Sequence, residues 1–134
     1  MKDQDGLTPL HFCLLAGDSP LTVETLIKGG ADVNMPNLLT ERTPLCIAAA
    51  NGRNQSIEVL LSWGADVIRC DSKGKSCLYL AVAGGHRQAA EILLDHGVEV
   101  DKRDNISATP LVLAAFIGRL DIFEFLGADA TIFF

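Results

Sequence analysis

A three-residue pattern recurs four times along the chain at a nearly constant interval. The copies start 35, 33 and 33 residues apart, at Thr8-Pro9-Leu10, Thr43-Pro44-Leu45, Ser76-Cys77-Leu78 and Thr109-Pro110-Leu111. Two further markers keep the same phase: a glycine nine residues after each start, and a later glycine that opens Gly30-Ala31-Asp32-Val33 and its three counterparts. Self-similarity at a period of thirty-odd residues is typical of repeat proteins, in which every copy is one small structural unit.

The pattern predicts two helices in each copy. The opening Thr or Ser suits an N-cap, and the proline that follows in three copies suits the first helical position. Apolar residues then fall at i, i+3 and i+4, as in Leu45, Ala48 and Ala49, which marks one helix face. A second apolar stripe predicts a longer helix that ends at the later glycine. The first helices are predicted to end in left-handed backbone at Gly17, Gly52, Gly85 and Gly118.

Short helices determine the expected architecture. Helices of about two turns are only marginally stable alone in water, so each must pack on the next copy. The expected fold is therefore an all-α solenoid of stacked helix–turn–helix units. A length of 134 residues suits a single domain, 1–134, with repeats at approximately 2–36, 37–69, 70–102 and 103–134.

Differences between the copies predict local irregularity. The first copy has two extra residues, one within 17–22 and one within 35–40, where the usual Asp and Gly of the turn are missing. Nine residues separate Gly118 from Gly127, whereas twelve separate Gly52 from Gly64, so we expect the last helix to lack one turn. The chain opens inside a turn and closes on the apolar stretch 131–134. We therefore expect a segment of a longer array, with uncapped ends that allow self-association.

Charge and composition argue against several classes of function. The net charge is −6, whereas general nucleic-acid binders carry a basic excess. The longest apolar run, 108–118, is broken by Pro110 and is shorter than the ~20 residues that a membrane helix needs. The amino end has no apolar signal region, and the four cysteines form no C-x-x-C pair. These features predict reduced thiols in a cytoplasmic or nuclear protein.

No set of residues in the sequence indicates catalysis or metal binding. His11 and Cys13 are two residues apart, so they do not share a helix face as a nucleophile and base would. His86 and His96 have no third ligand at metal-binding spacing. No glycine-rich phosphate loop is present. We therefore predict no enzyme, no cofactor and no metal, with three buried cysteines and Cys70 as the exposed thiol; the three are Cys13, Cys46 and Cys77.

The repeat resembles a known family. Thr-Pro-Leu-His at 8–11, Ala-Ala at 48–49 and 114–115, and Gly-Ala-Asp-Val-Asn at 30–34 are similar to the ankyrin repeat. The resemblance implies an inner helix, an outer helix and a β-hairpin-like finger roughly perpendicular to them. The family's His occurs only as His11, so its local hydrogen bond is in doubt in the other copies. The resemblance also makes Asn34 a candidate for hydroxylation by an asparaginyl hydroxylase; a role in capping the turn is the alternative.

Ankyrin arrays usually bind other proteins through the finger tips and the groove along the inner helices. The resemblance therefore implies a protein-interaction module whose partner is another protein or peptide. Carried over by register, the binding positions are Leu7, Leu15, Leu39, Arg42, Lys73, Lys75, Arg103, Ile106, Phe116 and Ile117. Basic and apolar side chains dominate this set although the whole chain is acidic, which predicts an acidic, partly apolar partner segment. Packing of Leu15, Phe116 and Ile117 against the fingers is the alternative.

Two other functions remain open at this point. The array could act as a spacer, in which case alanine at the finger tips would leave its function intact. It could also be the substrate-recognition part of a larger enzyme such as a ubiquitin ligase, which would need a recruiting box after the array. The full-length sequence would discriminate between these alternatives.

Overall fold

A computed structural model describes residues 6–99 and 102–129 of the chain. These residues form helices in four consecutive pairs, each a short helix followed by a longer one. The pairs are α1 (Pro9–Ala16) and α2 (Pro20–Lys28), α3 (Pro44–Ala50) and α4 (Asn54–Ser62), α5 (Cys77–Ala83) and α6 (Arg87–Asp95), and α7 (Pro110–Phe116) and α8 (Leu120–Asp129).

The helix pairs stack into two layers. In the inner layer α3 packs between α1 and α5, and α5 also contacts α7. In the outer layer α4 packs between α2 and α6. No strand occurs in 6–99 or 102–129, so the fingers are hairpin-like turns without a β-ladder. The prediction of an all-α solenoid is confirmed.

Each inner helix begins as the sequence predicts. The hydroxyls of Thr8, Thr43, Ser76 and Thr109 accept the backbone N–H three residues ahead, at 3.4, 3.3, 3.1 and 3.3 Å. His11 adds a second cap to α1, because its Nδ1 accepts the Thr8 N–H at 2.9 Å. Its Nε2 therefore carries the proton and donates to the Met35 carbonyl at 2.7 Å. The first copy is thus tied to the start of the second finger.

Helix ends follow the prediction in three inner helices and depart from it in one. Gly52, Gly85 and Gly118 have φ values of 68°, 74° and 77°, in the left-handed region that favours glycine. Gly17 was predicted to do the same, but its φ is 174°, which is extended backbone. The extra residue of the first copy accounts for the difference, since the extended exit from α1 carries Asp18 to the start of α4.

Small residues let the inner helices approach each other closely. Ala48, Ala49 and Ala81 are fully buried in the same core as Leu45 and Leu78. Cys46 and Cys77 are also buried, as predicted. Cys13 is only half-buried, because its counterparts in α3 and α5 are covered by the preceding inner helix.

The predicted shortening of the last helix is wrong. Helix α8 has ten residues, against nine in α2, α4 and α6. Gly127 lies inside it and does not end it, because Ile122 and Leu126 are fully buried one turn apart and hold this segment helical. The apolar end 131–134 lies outside the described residues. Self-association and membership of a longer array therefore stay predictions.

Candidate functional site

The third and fourth fingers are built around two buried aspartates. Asp71 donates its N–H to the Lys75 carbonyl at 3.1 Å, and its Oδ1 accepts the N–H groups of Lys73 and Lys75 at 2.9 Å each. Asp104 repeats this pattern, with Oδ1 accepting from Ile106 and Ala108 at 3.0 and 2.9 Å. Both carboxylates thus hold their own finger in its turn through these backbone N–H groups.

The second finger reaches a similar shape with different residues. Asn37 takes the place of the aspartate: its N–H donates to the Arg42 carbonyl at 3.0 Å, and its Oδ1 accepts the Thr40 N–H at 2.7 Å. Glu41, with φ 57°, occupies the position that Gly74, with φ 75°, holds in the third finger. In the fourth finger Ser107 occupies that position with φ 66°. A side chain in the left-handed region is strained, so two of the three fingers carry a residue that their backbone disfavours.

Backbone hydrogen bonds join the three finger tips to one another. The Ser72 N–H donates to the Thr40 carbonyl at 2.9 Å, and the Asn105 N–H donates to the Lys73 carbonyl at 3.0 Å. Gly74 permits the second contact, because a Cβ there would collide with the Asn105 side chain. We call the joined tips, residues 38–40, 72–74 and 105–106, the finger-tip row. Its members hold fixed positions relative to each other before any partner arrives.

Apolar side chains stand out from both ends of the finger-tip row. Leu39 is 72% exposed on the second finger, and Ile106 is 83% exposed on the fourth, as their predicted role requires. Leu38, which is not among the predicted binding positions, is 73% exposed beside Leu39. The extra residue of this finger and its missing Asp and Gly were the sequence features that marked it as unusual.

The third and fourth fingers enclose a depression of about 350 Å³ that gathers three of the predicted residues. Lys73, Lys75 and Ile106 line it together with Asp104 and Asn105. The Lys75 Nζ lies 5.6 Å from the centre of the Tyr79 ring, within cation–π range. Tyr79 was missed from sequence, since its role depends on this contact between helix and finger. Burial, then the charge of Asp104 and a hydrogen bond to it, raise the pKa of Tyr79, so its hydroxyl stays protonated.

The predicted cations are not equally available to a partner. Arg42 Nε lies 3.4 Å from Asp71 Oδ2, and that carboxylate is buried. Arg42 therefore ties the second finger to the third, and its charge is offset within the protein. Lys73 and Arg103 are exposed, whereas Lys75 is half-buried against Tyr79.

The predicted inner-helix residues lie at the two ends of the inner layer. Leu15 lies on α1 and is exposed, and Leu7 just before that helix is half-buried. Phe116 is 87% exposed on α7, with the exposed Ile117 next to it. Packing of Phe116 against the fingers, the alternative raised from sequence, is therefore wrong. The structure places Leu15 and Phe116 on the first and last inner helices and does not bring them together.

Basic side chains join successive repeats at the ends of the inner helices. Arg53 donates to the Leu14 and Leu15 carbonyls at 2.9 and 3.0 Å. His86 Nε2 lies 3.1 Å from the Ala50 carbonyl, and Arg119 Nη1 donates to the Gly85 carbonyl at 2.8 Å. Each of these residues directly follows a helix-ending glycine, and this shared phase in the sequence is the signal from which the contacts could have been predicted. We call these contacts the backward ties, because each reaches the preceding repeat.

One tie runs in the opposite direction. Helix α4 has no cap from its own N-cap residue Arg53. Asp18 of the first copy supplies it, accepting the Gln55 and Ser56 N–H groups at 3.2 and 2.9 Å and the Ser56 hydroxyl at 2.7 Å. The first two repeats are therefore joined in both directions.

The buried cysteines of the second and third repeats touch. The Cys46 and Cys77 sulfurs are 3.6 Å apart. The hydrogen bond from Cys77 lowers the pKa of Cys46, and the same bond together with burial raises that of Cys77. Cys70 was expected to be the exposed thiol, but it is half-buried, and burial raises its pKa. A raised pKa reduces the thiolate fraction and so the reactivity expected of this residue.

Asn34 connects two neighbouring loops. Its Oδ1 accepts the Asp66 N–H at 2.8 Å, and its own N–H donates to Asp32 Oδ1 at 2.9 Å. These bonds fit the turn-capping alternative, and hydroxylation of Asn34 stays a prediction. Within 6–99 and 102–129, His, Cys, Asp and Glu form no group of three or more suited to a metal ion. None of the helices in these ranges is long and apolar enough to span a membrane.

A family model described as ankyrin repeats in three copies matches residues 1–71 and 67–133. The chain belongs to the ankyrin-repeat family. This ankyrin chain is 38% identical over 79 residues to inversin of Gallus gallus, a match covering 59% of the chain and 7% of inversin. It is 35% identical over 75 residues to human ankyrin repeat and SOCS box protein 16, covering 56% of the chain and 16% of that protein. It is 33% identical over 79 residues to ankyrin repeat protein nuc-2 of Neurospora crassa, covering 59% of the chain and 7% of that protein.

The matched stretches are thus a small part of these relatives, and the identity lies in the repeats. Ankyrin repeats are generally protein-interaction modules, and proteins of this kind are generally non-catalytic.

Proposed function

We propose that this ankyrin array binds a partner polypeptide through its finger-tip row and the exposed side of its inner helices, and that it catalyses no reaction. One observation carries the proposal. The tips are locked together by backbone hydrogen bonds and present exposed apolar and cationic side chains to solvent, Leu39 and Ile106 with Lys73 between them. A surface that is already ordered loses little conformational freedom on binding.

Charge supports an acidic, partly apolar segment as the partner. The whole chain carries −6, yet Lys73, Lys75, Lys102 and Arg103 cluster on the third and fourth fingers. The two aspartates of these fingers are buried, and the Oδ1 atom of each accepts backbone N–H groups of its own finger. Cations at the rim of such a surface mainly steer the approach of a negatively charged partner. The free thiols of the described cysteines support a reducing compartment, the cytoplasm or the nucleus.

One relative favours a second candidate function. It is by name an ankyrin repeat and SOCS box protein, which is an array joined to another module. On that model the present array is the substrate-recognition part of a larger enzyme such as a ubiquitin ligase. A spacer between other modules is the non-binding alternative.

A paired charge reversal tests the proposal. The immobilised chain is compared with Lys73→Glu/Arg103→Glu on the fingers and with Lys28→Glu/Arg87→Glu on the outer helices, which changes the net charge equally. We expect the finger variant to lose capture of the partners that the unchanged chain retains at low salt, and the outer-helix variant to keep it. Equal capture by all three proteins would overturn the binding surface and favour a spacer.

A further inference from the structure

The geometry of the finger-tip row points to a specific kind of partner segment, and this inference rests on the proposed function. We infer that the row binds one extended segment with two aliphatic side chains six residues apart and an acidic residue between them, two positions from the second aliphatic. The aliphatic side chains contact Leu39 and Ile106, and the acidic residue faces Lys73 and Lys75. No such motif follows from ankyrin architecture in general, because it depends on the side chains of these particular tips.

The spacing follows from the distance between the fingers. Leu39 and Ile106 lie on the second and fourth fingers, two repeats apart. Packed helices are roughly 8–10 Å apart, so two repeat steps span about 16–20 Å. An extended chain rises about 3.3 Å per residue, so five to six residues cover that span. The tip-to-tip bonds at 2.9 and 3.0 Å join each finger to the next.

The alternation of an extended chain selects six over five. Side chains of a strand point to opposite faces in turn, so positions i, i+2, i+4 and i+6 share one face. Aliphatic residues at i and i+6 therefore both face the finger-tip row, whereas those at i and i+5 do not. A residue at i+4 faces the row as well and meets the third finger or its neighbour.

Charge places the acidic residue near the fourth finger. Lys73 and Lys75 line the depression with Ile106. Asp104 lines it as well, but Asp104 is buried and its Oδ1 accepts the Ile106 and Ala108 N–H groups, while the buried Asp71 is paired with Arg42. On the second finger the exposed Glu41 lies two residues from Leu39. A negative charge beside the Leu39 anchor would meet Glu41, whereas one beside the Ile106 anchor meets ammonium groups. The segment therefore has a direction as well as a spacing.

Synthetic peptides test the spacing directly. The probe is a fluorescein-labelled nine-residue peptide with leucine at positions 2 and 8, aspartate at position 6 and threonine elsewhere. Controls move the second leucine to position 7, or move the aspartate to position 4. Binding to the full chain is measured by fluorescence anisotropy at low salt. We expect the probe to bind about tenfold more tightly than the five-residue spacing, because one leucine loses its apolar contact.

Protein variants assign the contacts. Leu39→Ser and Ile106→Ser should each weaken binding of the probe about tenfold. Leu21→Ser is the matched control, since Leu21 is equally exposed but lies on α2 in the outer layer. All three side chains are exposed, so the variants should melt at the temperature of the unchanged chain. Lys73→Glu should weaken binding of the probe and remove the salt dependence of that binding.

The outcomes separate this inference from the proposed function. Equal binding of the peptides whatever their spacing, or equal loss in Leu21→Ser and Leu39→Ser, would overturn the inference. If charge reversal on the fingers still abolishes capture of natural partners, the proposed function survives that result. If charge reversal on the fingers leaves capture of natural partners unchanged, the proposed function is overturned together with this inference.

Discussion

The central repeats and the fourth repeat contain the same positions in different surroundings. Cys46 and Tyr79 are buried in α3 and α5, whereas Val112 at the same position of α7 is 45% exposed. Ala49 and Val82 are fully buried, and their counterpart Ala115 is exposed. The difference arises because the next inner helix covers α3 and α5, and among the described residues none follows α7. A residue is thus buried by the neighbouring repeat. The same residue type therefore contributes differently to the free energy of unfolding in different copies.

The largest effect expected from this comparison concerns a pair of alanines. Ala49→Asp would bury an unpaired carboxylate and should destabilise the fold by about 4 kcal/mol or unfold it. Ala115→Asp places the same group in water and should change stability by less than about 0.5 kcal/mol. Urea unfolding followed by circular dichroism measures both. Similar losses in the two variants would show that the fourth inner helix is covered as the central ones are.

The cap that crosses the first repeat junction should have the next largest effect. Asp18→Ala removes three hydrogen bonds at the start of α4 and should cost about 1–2 kcal/mol, the usual value of a helix cap. Asp32→Ala is the control, since its carboxylate accepts only a local N–H, that of Asn34, among the bonds described for it. Thermal melts of the two variants provide the measurement. Equal melting temperatures would mean that α4 does not depend on the first copy.

The fourth finger offers a change in the stabilising direction. Ser107 has a left-handed backbone that Gly74 adopts without strain in the third finger. Relief of this strain exceeds the conformational entropy that glycine loses on folding. Ser107→Gly should therefore stabilise the protein by about 0.5–1 kcal/mol. The melting temperature should rise slightly, and the matched change Ser72→Gly on the third finger should lower it or leave it unchanged. A fall in Ser107→Gly would argue that the serine is held by contacts of its own.

The smallest expected effect lies on the outer layer. Arg87 and Glu91 form an exposed pair at 3.0 Å, four residues apart on α6. Glu91→Gln should cost less than about 0.5 kcal/mol, because exposed ion pairs of this spacing contribute little and are screened by salt. The same melts in low and high salt test it. A loss above 1 kcal/mol, about the upper limit for exposed pairs, would place this pair in a larger network.

The sequence predicted those parts of the fold that depend on local chemistry. Helix starts at Thr8, Thr43, Ser76 and Thr109 were predictable because a cap involves only residues three apart. The errors at Gly17 and Gly127 have one cause. Glycine permits several conformations, and the choice depends on partners elsewhere: the start of α4 in one case, the buried Ile122 and Leu126 in the other.

The candidate site also has parts that the sequence predicts and parts that depend on distant residues. Exposure of Leu39 and Ile106 followed from register, whereas for Phe116 register left packing against the fingers open as an alternative. The pairing of Arg42 with Asp71 did not, because the two residues are 29 positions apart and belong to different fingers. Tyr79 was missed for a similar reason. The spacing between fingers, on which the partner motif depends, requires the stacked structure and cannot be obtained from one repeat.

Because of the backward ties and the Asp18 cap, removal of a repeat from the amino end has different consequences from removal of one at the carboxyl end. Removal of the last repeat would free the Gly85 carbonyl, which water can solvate at once. Removal of the first repeat would instead leave α4 with the Gln55 and Ser56 N–H groups uncapped, because Asp18 is lost. A trimmed version for biophysical work should therefore keep the first copy, or carry Arg53→Asp so that α4 supplies its own cap. Engineers who transplant these fingers would be well advised to cut from the carboxyl side.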